Sequence, residues 1–341
     1  MTLSRLRRIV RSRTRWCVAT SWENQSVITV PTSDSCNDQV GRLAWEEPAC
    51  PLCGSRSGVP FIEAPDPAGG RNALWFAVVR CANCRLCYTS PRPTRESIGQ
   101  FYSQTYPPHR GVRQTRALRS WYPLAMLSGR STERRRLPVQ GQGRLLDFGC
   151  GNGSFLLRMA QQGWQVMGLD MSAQAVERIK AELKLPALQG TLPHPELTPG
   201  SFEVVTMWHS LEHVHDPLDT LRQVHRLLTP GGRLFVAVPN IDSWPFRLFG
   251  QSWFGLDLPR HLTHFCPATL RAMLVRAGFG VESLRMIRHS DWLRSSARLA
   301  ARSRPLAWST LLTFKPFARV VSWLGFMLGN SDAMLAVARR A

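Results

Sequence analysis

The chain has 341 residues, 44% of them hydrophobic, which is enough to bury a large core and predicts more than one domain. Its 43 lysines and arginines outnumber 23 acids, which gives a net charge of +20. This charge favours nucleic acid, an anionic membrane surface or an anionic substrate as partner. An arginine-rich solvated surface without such a partner is the alternative. No run of 18 apolar residues occurs, which excludes a predicted transmembrane helix. Nine cysteines, four of them in two C-x-x-C pairs, favour a reducing, cytoplasmic location with a metal site over a disulfide framework.

Residues 1–40 are predicted to form a poorly ordered basic tail. The first 16 residues carry six arginines and no acid, and they lack the apolar core of a secretory signal. The segment shows no hydrophobic period, and Cys17 and Cys36 have no partner at metal-binding spacing. A targeting or surface-binding helix is the alternative interpretation.

Residues 41–93 are predicted to form a zinc-ribbon-like module. Its two C-x-x-C pairs supply the candidate ligands: Cys50, Cys53, Cys81 and Cys84. Each pair forms a tight knuckle that presents two thiolates, so two knuckles complete a tetrahedral zinc site. Four thiolates leave no open position, and the zinc would therefore be structural. Cys87 is a fifth candidate ligand, and free thiols without metal are the alternative.

Residues 94–136 are predicted to form a helical cap. Thr94 is the predicted N-cap of a short amphipathic helix whose apolar side includes Phe101 and Tyr102. Further along, arginines recur at every third position: Arg110, Arg113, Arg116 and Arg119. This stripe indicates either a phosphate- or RNA-binding surface or an ordinary solvated helix face. The catalytic domain is predicted over residues 137–341.

The stretch from residue 144 to residue 170 predicts a strand, a glycine-rich turn, a helix and a second strand that ends at an acid. A short apolar strand leads into a turn with three glycines: Gly149, Gly151 and Gly153. Glycine adopts positive φ and, without a Cβ, lets a ligand lie against the backbone. Asp170 ends the second strand. In nucleotide-binding folds of this kind, an acid at this place binds the hydroxyl groups of the ribose.

Two details argue against a dinucleotide at this turn. Ser154 stands where the third glycine of G-x-G-x-x-G would fall, and Asp147 precedes the glycines, where it would repel a phosphate but attract a cationic ligand. With these features the sequence resembles the class I S-adenosylmethionine-dependent methyltransferases. An ordinary βαβ unit with a glycine-rich turn is the alternative.

The resemblance implies an α/β fold, a Rossmann-like, doubly wound sheet of seven strands with the last strand antiparallel, preceded by the zinc ribbon and the helical cap. It also implies a set of cofactor-binding residues: Asp147, Gly149, Gly151, Gly153, Asp170, Met171, Thr191 and Leu192. Asp147 and the glycines would hold the methionine end, Asp170 the ribose, and Thr191 would lie near the adenine. The C-P-L-C-G, S-P-R-P and F-Y-S-Q-T-Y strings are similar to the N-terminal module of many bacterial small-molecule methyltransferases, which packs against the catalytic domain.

The string L-E-H-V-H-D-P, followed by L-T-P-G-G, resembles the same family and in particular the ubiquinone-type O-methyltransferases. Those have E-x-x-E-H here, a proposed set of divalent-metal ligands. In this chain His209 replaces the first acid, whereas Glu212 and His213 match. The resemblance implies that His209 and His213 flank the transferred methyl group. Two alternatives stay open: a metal site made of all three residues, and a loop that they only hold in place.

Residues 241–266 are predicted to form a long irregular substrate loop, rich in aromatic residues that would line the pocket of an apolar or planar acceptor. Its P-R-H-L-T-H-F string resembles a motif of many of these methyltransferases. His261 is the candidate general base that takes a proton from the acceptor, and His264 is a second catalytic candidate. Alternatively, one or both histidines hydrogen-bond the loop shut.

The C-terminal string D-A-M-L-A-V-A-R-R predicts the seventh strand, which the resemblance places antiparallel between strands five and six. Before it lies an apolar and basic insertion, residues 291–330. Core packing or homodimerisation is the interpretation we favour for this insertion. A substrate cover and a peripheral membrane contact are the alternatives.

The resulting hypothesis is methyl transfer from S-adenosylmethionine to an oxygen, carbon or nitrogen atom of a small molecule. An RNA base methyltransferase is the alternative, because some ribosomal RNA guanine methyltransferases carry an N-terminal cysteine-rich zinc module and a basic protein suits RNA. A third hypothesis is a non-catalytic partner protein that keeps the fold.

Overall fold

The structure, a computed structural model, describes residues 43–69, 73–102, 143–303 and 307–341. The predicted basic tail over residues 1–40 and most of the predicted helical cap, including its arginine stripe, lie outside the described residues. Among the described residues, no helix is long and apolar enough to cross a membrane.

The N-terminal module consists of short antiparallel strands. They are β1 (Trp45–Glu46), β2 (Gly58–Pro65), β3 (Trp75–Cys81), β4 (Cys87–Thr89) and β5 (Arg92–Pro93). β1 pairs with β5, and β3 lies between β2 and β4. The amphipathic helix predicted after Thr94 is only a 3-10 turn, Ile98–Phe101, with Ser97 rather than Thr94 at its N-cap.

Residues 144–189, the first half of the region that forms the main sheet, alternate strands and helices. This half runs through β6 (Arg144–Phe148), α1 (Ser154–Gln161), β7 (Gln165–Asp170), α2 (Ala173–Arg178), a π-helical turn (Ile179–Leu183) and β8 (Ala187–Gln189). The three strands are parallel. Ser172 is the N-cap of α2: its side-chain oxygen accepts a hydrogen bond from the Ala175 N–H at 3.2 Å, a role for which serine is favoured.

The second half continues the alternation and then adds helices. It runs through β9 (Phe202–Trp208), α3 (Pro217–Leu227), β10 (Leu228–Pro239), α4 (Trp244–Phe249), β11 (Thr263–His264), α5 (Pro267–Arg276), β12 (Phe279–Ile287), α6 (Ser290–Ser303), α7 (Ala307–Thr313), α8 (Lys315–Met327) and β13 (Ala333–Arg340). α3 begins with Pro217 after the N-cap Asp216, since proline suits the first helical position. The insertion before β13 is helical.

Seven of these strands form one sheet in the order β12-β13-β10-β9-β6-β7-β8. β13 is antiparallel to both β10 and β12, which confirms the predicted seven-stranded sheet and the insertion of its last strand. The chain runs outward from β6 to β8 and then returns to add β9 on the other side of β6. In open α/β sheets, ligands bind outside the carboxyl ends of the strands at such a reversal.

Apolar side chains cover both faces of this sheet. One face packs against α1 and α2, and the other packs against α3 and α5. Because both faces are buried, the strands are almost continuously apolar, as in β13, where six residues are buried before the chain reaches its exposed end.

The segment 241–266 differs from the irregular loop that we predicted. It contains α4, two 3-10 turns and β11, because Ser243 caps α4 and Pro245 occupies its first turn. Its aromatic residues mostly pack inward rather than lining an open pocket: Trp253 is 1% exposed and Phe249 is 6% exposed. Both belong to a third core cluster that joins the N-terminal module to α6, α7 and α8.

β11 belongs to the sheet of the N-terminal module and not to the main sheet. The module sheet has the order β11-β4-β3-β2, with Thr263 opposite Tyr88 and His264 opposite Cys87. The segment that carries the candidate catalytic histidines is therefore held by backbone hydrogen bonds to the cysteine-bearing module.

Candidate active site

The glycine turn has the geometry that its sequence predicts. Gly149, Gly151 and Gly153 have φ of 74°, 53° and 71°, in the left-handed region that other residues rarely adopt. A Cβ at Gly149 would come 2.6 Å from the Cβ of Ser210, which lies just beyond β9. Ser210 in turn donates a hydrogen bond to the Phe148 carbonyl at 2.9 Å, so the turn is packed tightly between β6 and the segment after β9.

The two predicted acids are buried beside this turn. Asp170, 7% exposed, accepts hydrogen bonds from the backbone N–H groups of Gly151 at 2.8 Å and Ser172 at 2.9 Å. Asp147, 2% exposed, accepts one from the Thr206 hydroxyl at 2.7 Å. These bonds fix the orientation of both carboxylates. Two carboxylates at the glycine turn suit a ligand that carries positive charge and a ribose, as S-adenosylmethionine does.

The remaining residues predicted to bind the cofactor differ in their exposure. Met171, directly after Asp170, is 68% exposed, which leaves a large apolar side chain at the end of β7 for a planar ring to cover. Thr191 is partly exposed, and Leu192 is buried at 6%. Both follow β8, the neighbour of β7, so they lie at the carboxyl edge of the same part of the sheet.

His209 lies in a strained and crowded position after β9. Its φ is 54°, unusual for a residue with a side chain, and its Nδ1 lies 3.4 Å from Oε1 of the fully buried Glu212. Its ring packs against Trp292, with 4.9 Å between the centroids, and against His289 at 5.3 Å. Backbone strain of this kind clusters at functional sites. α6, which carries Trp292, therefore helps to form the site, in keeping with the substrate cover that the sequence left open for residues 291–330.

The rings of His213 and His261 are in direct edge-to-face contact. Their ring centroids are 4.6 Å apart. Nδ1 of His261 lies 2.8 Å from the Gly255 carbonyl, and Nδ1 of His213 lies 3.0 Å from the Arg260 carbonyl and 2.9 Å from the Tyr102 hydroxyl. A carbonyl only accepts, so we assign the proton of each ring to Nδ1, and each Nε2 keeps its lone pair.

Both rings are neutral at physiological pH. Burial and the neighbouring His261 lower the pKa of His213 to about 3. Burial likewise lowers the pKa of His261 to about 4, although the carboxylate of Asp257 opposes the shift. A neutral imidazole with a free Nε2 can accept a proton or bind a metal ion.

A group of three residues has the composition of a divalent-metal site. Glu212, His213 and His261 each offer one ligand atom, and these atoms lie within 4.8 Å of one another. The hydrogen bonds at the two Nδ1 atoms are of the kind that orient metal-bound histidines. In this set His261 takes the place of His209, the third member of the metal site that the sequence left open as an alternative.

His264 and Arg260 contact the N-terminal module. Thr89 donates its hydroxyl proton to the His261 carbonyl at 2.7 Å, and Nε2 of His264 donates to the Thr89 oxygen at 3.2 Å. Arg260 donates to Asp66 at 2.9 Å, to Asp257 at 2.7 Å and to the Phe101 carbonyl at 3.0 Å. These contacts hold the histidine segment against the module.

Sequence reasoning missed Tyr102 and Asp257 as parts of this site. Burial raises the pKa of the Tyr102 hydroxyl, which stays protonated beside His213. Asp257 lies between Arg260 and His261, and despite its burial these two neighbours lower the pKa of its carboxyl. The only available signals were that Tyr102 lies in the F-Y-S-Q-T-Y string and Asp257 in the L-D-L-P-R-H string. That the two residues lie near His213 and His261 depends on the fold.

The four predicted zinc ligands converge. Sγ of Cys50 lies 3.4 Å from Sγ of Cys84, and Sγ of Cys53 lies 3.5 Å from Sγ of Cys81. In a tetrahedral site with Zn–S bonds of about 2.3 Å, the sulfur atoms are about 3.8 Å apart, so the cluster fits zinc. Cys87, the fifth candidate, is not among the clustered cysteines; its thiol points to the Arg85 carbonyl instead.

Known proteins resemble the chain mainly over its catalytic part. A family model described as a methyltransferase domain matches residues 118–284. The ubiquinone biosynthesis O-methyltransferase of Xanthomonas euvesicatoria pv. vesicatoria (strain 85-10) is 32% identical over 183 residues, which cover 49% of this chain and 74% of that protein. The protein of the same description from Vibrio cholerae serotype O1 (strain M66-2) is 37% identical over 115 residues, 31% of this chain and 47% of that protein.

Solved structures also resemble the chain. The crystal structure of an S-adenosylmethionine-dependent methyltransferase from Mesorhizobium loti superimposes with a TM-score of 0.44 at 24% identity. The match covers 63% of this chain and 100% of that chain.

Proposed function

The chain belongs to the class I S-adenosylmethionine-dependent methyltransferases, and from this membership we propose that it methylates an oxygen atom of a small-molecule acceptor. S-adenosylmethionine, when bound, supplies a methyl group on a positively charged sulfur. The names of the relatives with 32–37% identity support oxygen as the acceptor atom. The work left to the protein is to align the acceptor and to remove its proton.

The residues proposed to hold the cofactor are those of the glycine turn and the ends of β7 and β8. Asp147 and the glycines bind the amino-acid end. Asp170, whose carboxylate is oriented by the N–H groups of Gly151 and Ser172, binds the ribose. Met171 and Thr191 contact the adenine.

The observation that carries the proposal is the pair of neutral imidazoles of His213 and His261, each with an unprotonated Nε2. Their ring centroids are 4.6 Å apart. His261 is the proposed general base, and the nearby Asp257 carboxylate, 4.0 Å from its Nε2, stabilises the imidazolium that forms. An acceptor hydroxyl placed beside the two contacting rings can donate its proton to either Nε2. His209 and His213 line the approach to the methyl group, and His264 positions the segment.

A divalent cation is a second way to activate the same hydroxyl. Glu212, His213 and His261 can bind such an ion and leave positions open for the acceptor oxygen, whose pKa the ion would lower. Zinc in the cysteine cluster has no such open position and remains a structural element of the proposal.

The first experiment measures cofactor binding by calorimetry. Asp170→Ala should weaken S-adenosylmethionine binding by at least tenfold, whereas Glu282→Gln, a change at an exposed acid in a surface ion pair, should leave it unchanged. Equal affinity in both variants would remove the cofactor assignment.

The second experiment measures methyl transfer with labelled cofactor to phenolic and catecholic compounds and, separately, to total RNA. We expect label on a hydroxyl of a small molecule and a large loss of turnover in His261→Gln, with cofactor affinity retained. Label on RNA, lost steeply as salt rises, would favour the RNA alternative. Cofactor binding without transfer to any acceptor would favour a non-catalytic protein. The same assay with chelator and added Mg²⁺ distinguishes a metal-assisted from a metal-free proton transfer.

A further inference from the structure

Helix α8 buries small side chains and exposes large apolar ones. Ala318 is fully buried, Ser322 is 3% exposed, and Gly325 lies so close to the Trp244 indole that a Cβ could not be accommodated. Residues on the opposite face are large, apolar and about half exposed: Phe317 (46%), Val320 (48%), Leu324 (50%) and Met327 (62%). A helix on the surface of a protein surrounded by water normally has the reverse arrangement.

The exposed apolar surface extends beyond α8. Further members lie on α7, within α8 and directly beside its two ends: Trp308, Leu311, Phe314, Trp323, Phe326 and Leu328, which are between 37% and 84% exposed. We call this surface the α7–α8 face. Single exposed apolar residues are ordinary, but a cluster of this size marks an interaction surface.

The charge of the surrounding chain has one sign. Between Asp291 and Asp332 the sequence has no acid, whereas it has six lysines and arginines. Of those that the structure describes, three are exposed: Arg298, Arg302 and Lys315. Apolar and aromatic residues combined with basic residues are typical of segments that lie in the interface of a membrane with anionic lipids.

We propose that the α7–α8 face docks on the surface of an anionic lipid bilayer. α8 has 13 residues and a length of about 20 Å, whereas the hydrocarbon core of a bilayer is about 30 Å thick, so the helix lies in the interface and does not span it. Trp308 and Trp323, both partly exposed, have side chains that favour the interfacial region. The inference does not depend on which acceptor is methylated.

A second copy of the chain fits this face less well. In a two-fold symmetric interface the same surface meets itself, so the exposed cations of α6 and α8 would approach the same cations of the partner. The stretch between Asp291 and Asp332 offers no acid to pair with them. Anionic headgroups supply that charge, and the acyl chains cover the apolar residues.

Vesicle flotation tests the proposal with the full-length protein. We expect the protein to float with vesicles of phosphatidylcholine and phosphatidylglycerol, and to bind vesicles of phosphatidylcholine alone far more weakly. The double variant Leu324→Glu, Met327→Glu should lose flotation. The matched control is Val59→Glu, Val275→Glu, which adds the same charge at two exposed valines on β2 and α5 and should float like the unmodified protein.

A second set of variants tests the charges. Replacing Arg298, Arg302 and Lys315 by glutamine should weaken binding to the anionic vesicles by about fivefold per charge, whereas replacing the exposed Arg56, Arg271 and Arg276 should have little effect. Calorimetry of cofactor binding establishes that each variant is folded. Failure of the unmodified protein to float would overturn the proposal. Light scattering that shows a dimer, dissociated by Leu324→Glu, Met327→Glu, would also overturn it and identify a second copy as the occupant.

Discussion

The guanidinium group of Arg260 lies 2.9 Å from the carboxylate of Asp66, 194 residues earlier in the chain. The arginine side chain is only 3% exposed, and it also binds Asp257 and the Phe101 carbonyl. One side chain therefore links the N-terminal module to the segment that positions His261. The module thus contributes directly to the geometry of the candidate active site.

Replacing Arg260 by alanine should destabilise the protein by about 3–5 kcal/mol, because it leaves two largely buried carboxylates without their partner. Lysine should rescue this only in part, since one ammonium group cannot reproduce the forked contacts of a guanidinium. Urea unfolding measures both values.

The matched control is Arg233→Ala. Arg233 pairs with Glu282, but both side chains are more than a third exposed, so its loss should change stability by about 0–1 kcal/mol. Equal losses at Arg260 and Arg233 would show that the buried contacts do not hold the module in place.

Removing the metal from the cysteine cluster should impair methyl transfer but not cofactor binding. Cys81→Ser breaks the cluster at the end of β3, and β3 supports β4, which pairs with β11. We expect metal analysis to find one zinc per chain in the unmodified protein and none in the variant, with turnover reduced and S-adenosylmethionine affinity retained.

Cys87→Ser provides the control for this prediction. Cys87 is buried near the cluster but is not part of it, so its variant should keep the zinc. Zinc loss in Cys87→Ser, or full turnover in the zinc-free Cys81→Ser protein, would contradict the structural assignment.

His264 should make the protein less stable in acid. Burial lowers its pKa to about 3, below the ordinary value of 6.5, so the unfolded chain binds a proton more readily than the folded one. The stability from this group is complete above pH 6.5 and falls as the pH decreases towards 3, by about 1.4 kcal/mol per pH unit. His264→Gln, which keeps a donor for Thr89, should reduce the slope of unfolding free energy against pH by that amount. An unchanged slope would mean that His264 is not buried as a neutral ring.

Asp332 should have the opposite pH dependence. Burial raises the pKa of its carboxyl to about 7, although the Trp253 indole N–H, 3.3 Å away, favours the charged form. The folded state therefore keeps a proton that the unfolded state releases above pH 3.8, and stability is lost as the pH rises from about 4 to 7.

Asp332→Asn removes this ionisation and keeps an acceptor for Trp253. At pH 8 the variant should be more stable than the unmodified protein by on the order of 2–4 kcal/mol, and the gain should vanish near pH 4. Asp242→Asn, at an exposed ion pair with Arg247, is the control and should change stability by about 0–1 kcal/mol. Denaturant unfolding at both pH values measures these differences.

Much of the fold follows from local patterns in the sequence. The apolar strands, the glycine turn before α1, the Ser172 cap and the proline at the start of α3 each depend on residues within a few positions of one another. Short-range sterics and hydrogen bonding decide such features. The number of strands and the antiparallel last strand were expected instead from the resemblance to the methyltransferase family, and the structure confirms both. The two C-x-x-C pairs likewise determined which four thiols would meet.

The arrangement of the histidines depended on the tertiary structure. β11 has only two residues and no strong propensity of its own; it forms because β4 offers a free edge, and Thr89 meets His264 across 175 residues. The same packing places His261, rather than His209, beside Glu212 and His213. It also buries most of the aromatic residues that we expected to line an open pocket. Local sequence periodicity does not predict contacts of such long range. Their free energy comes from burial and hydrogen bonding between segments that meet only when the whole domain folds.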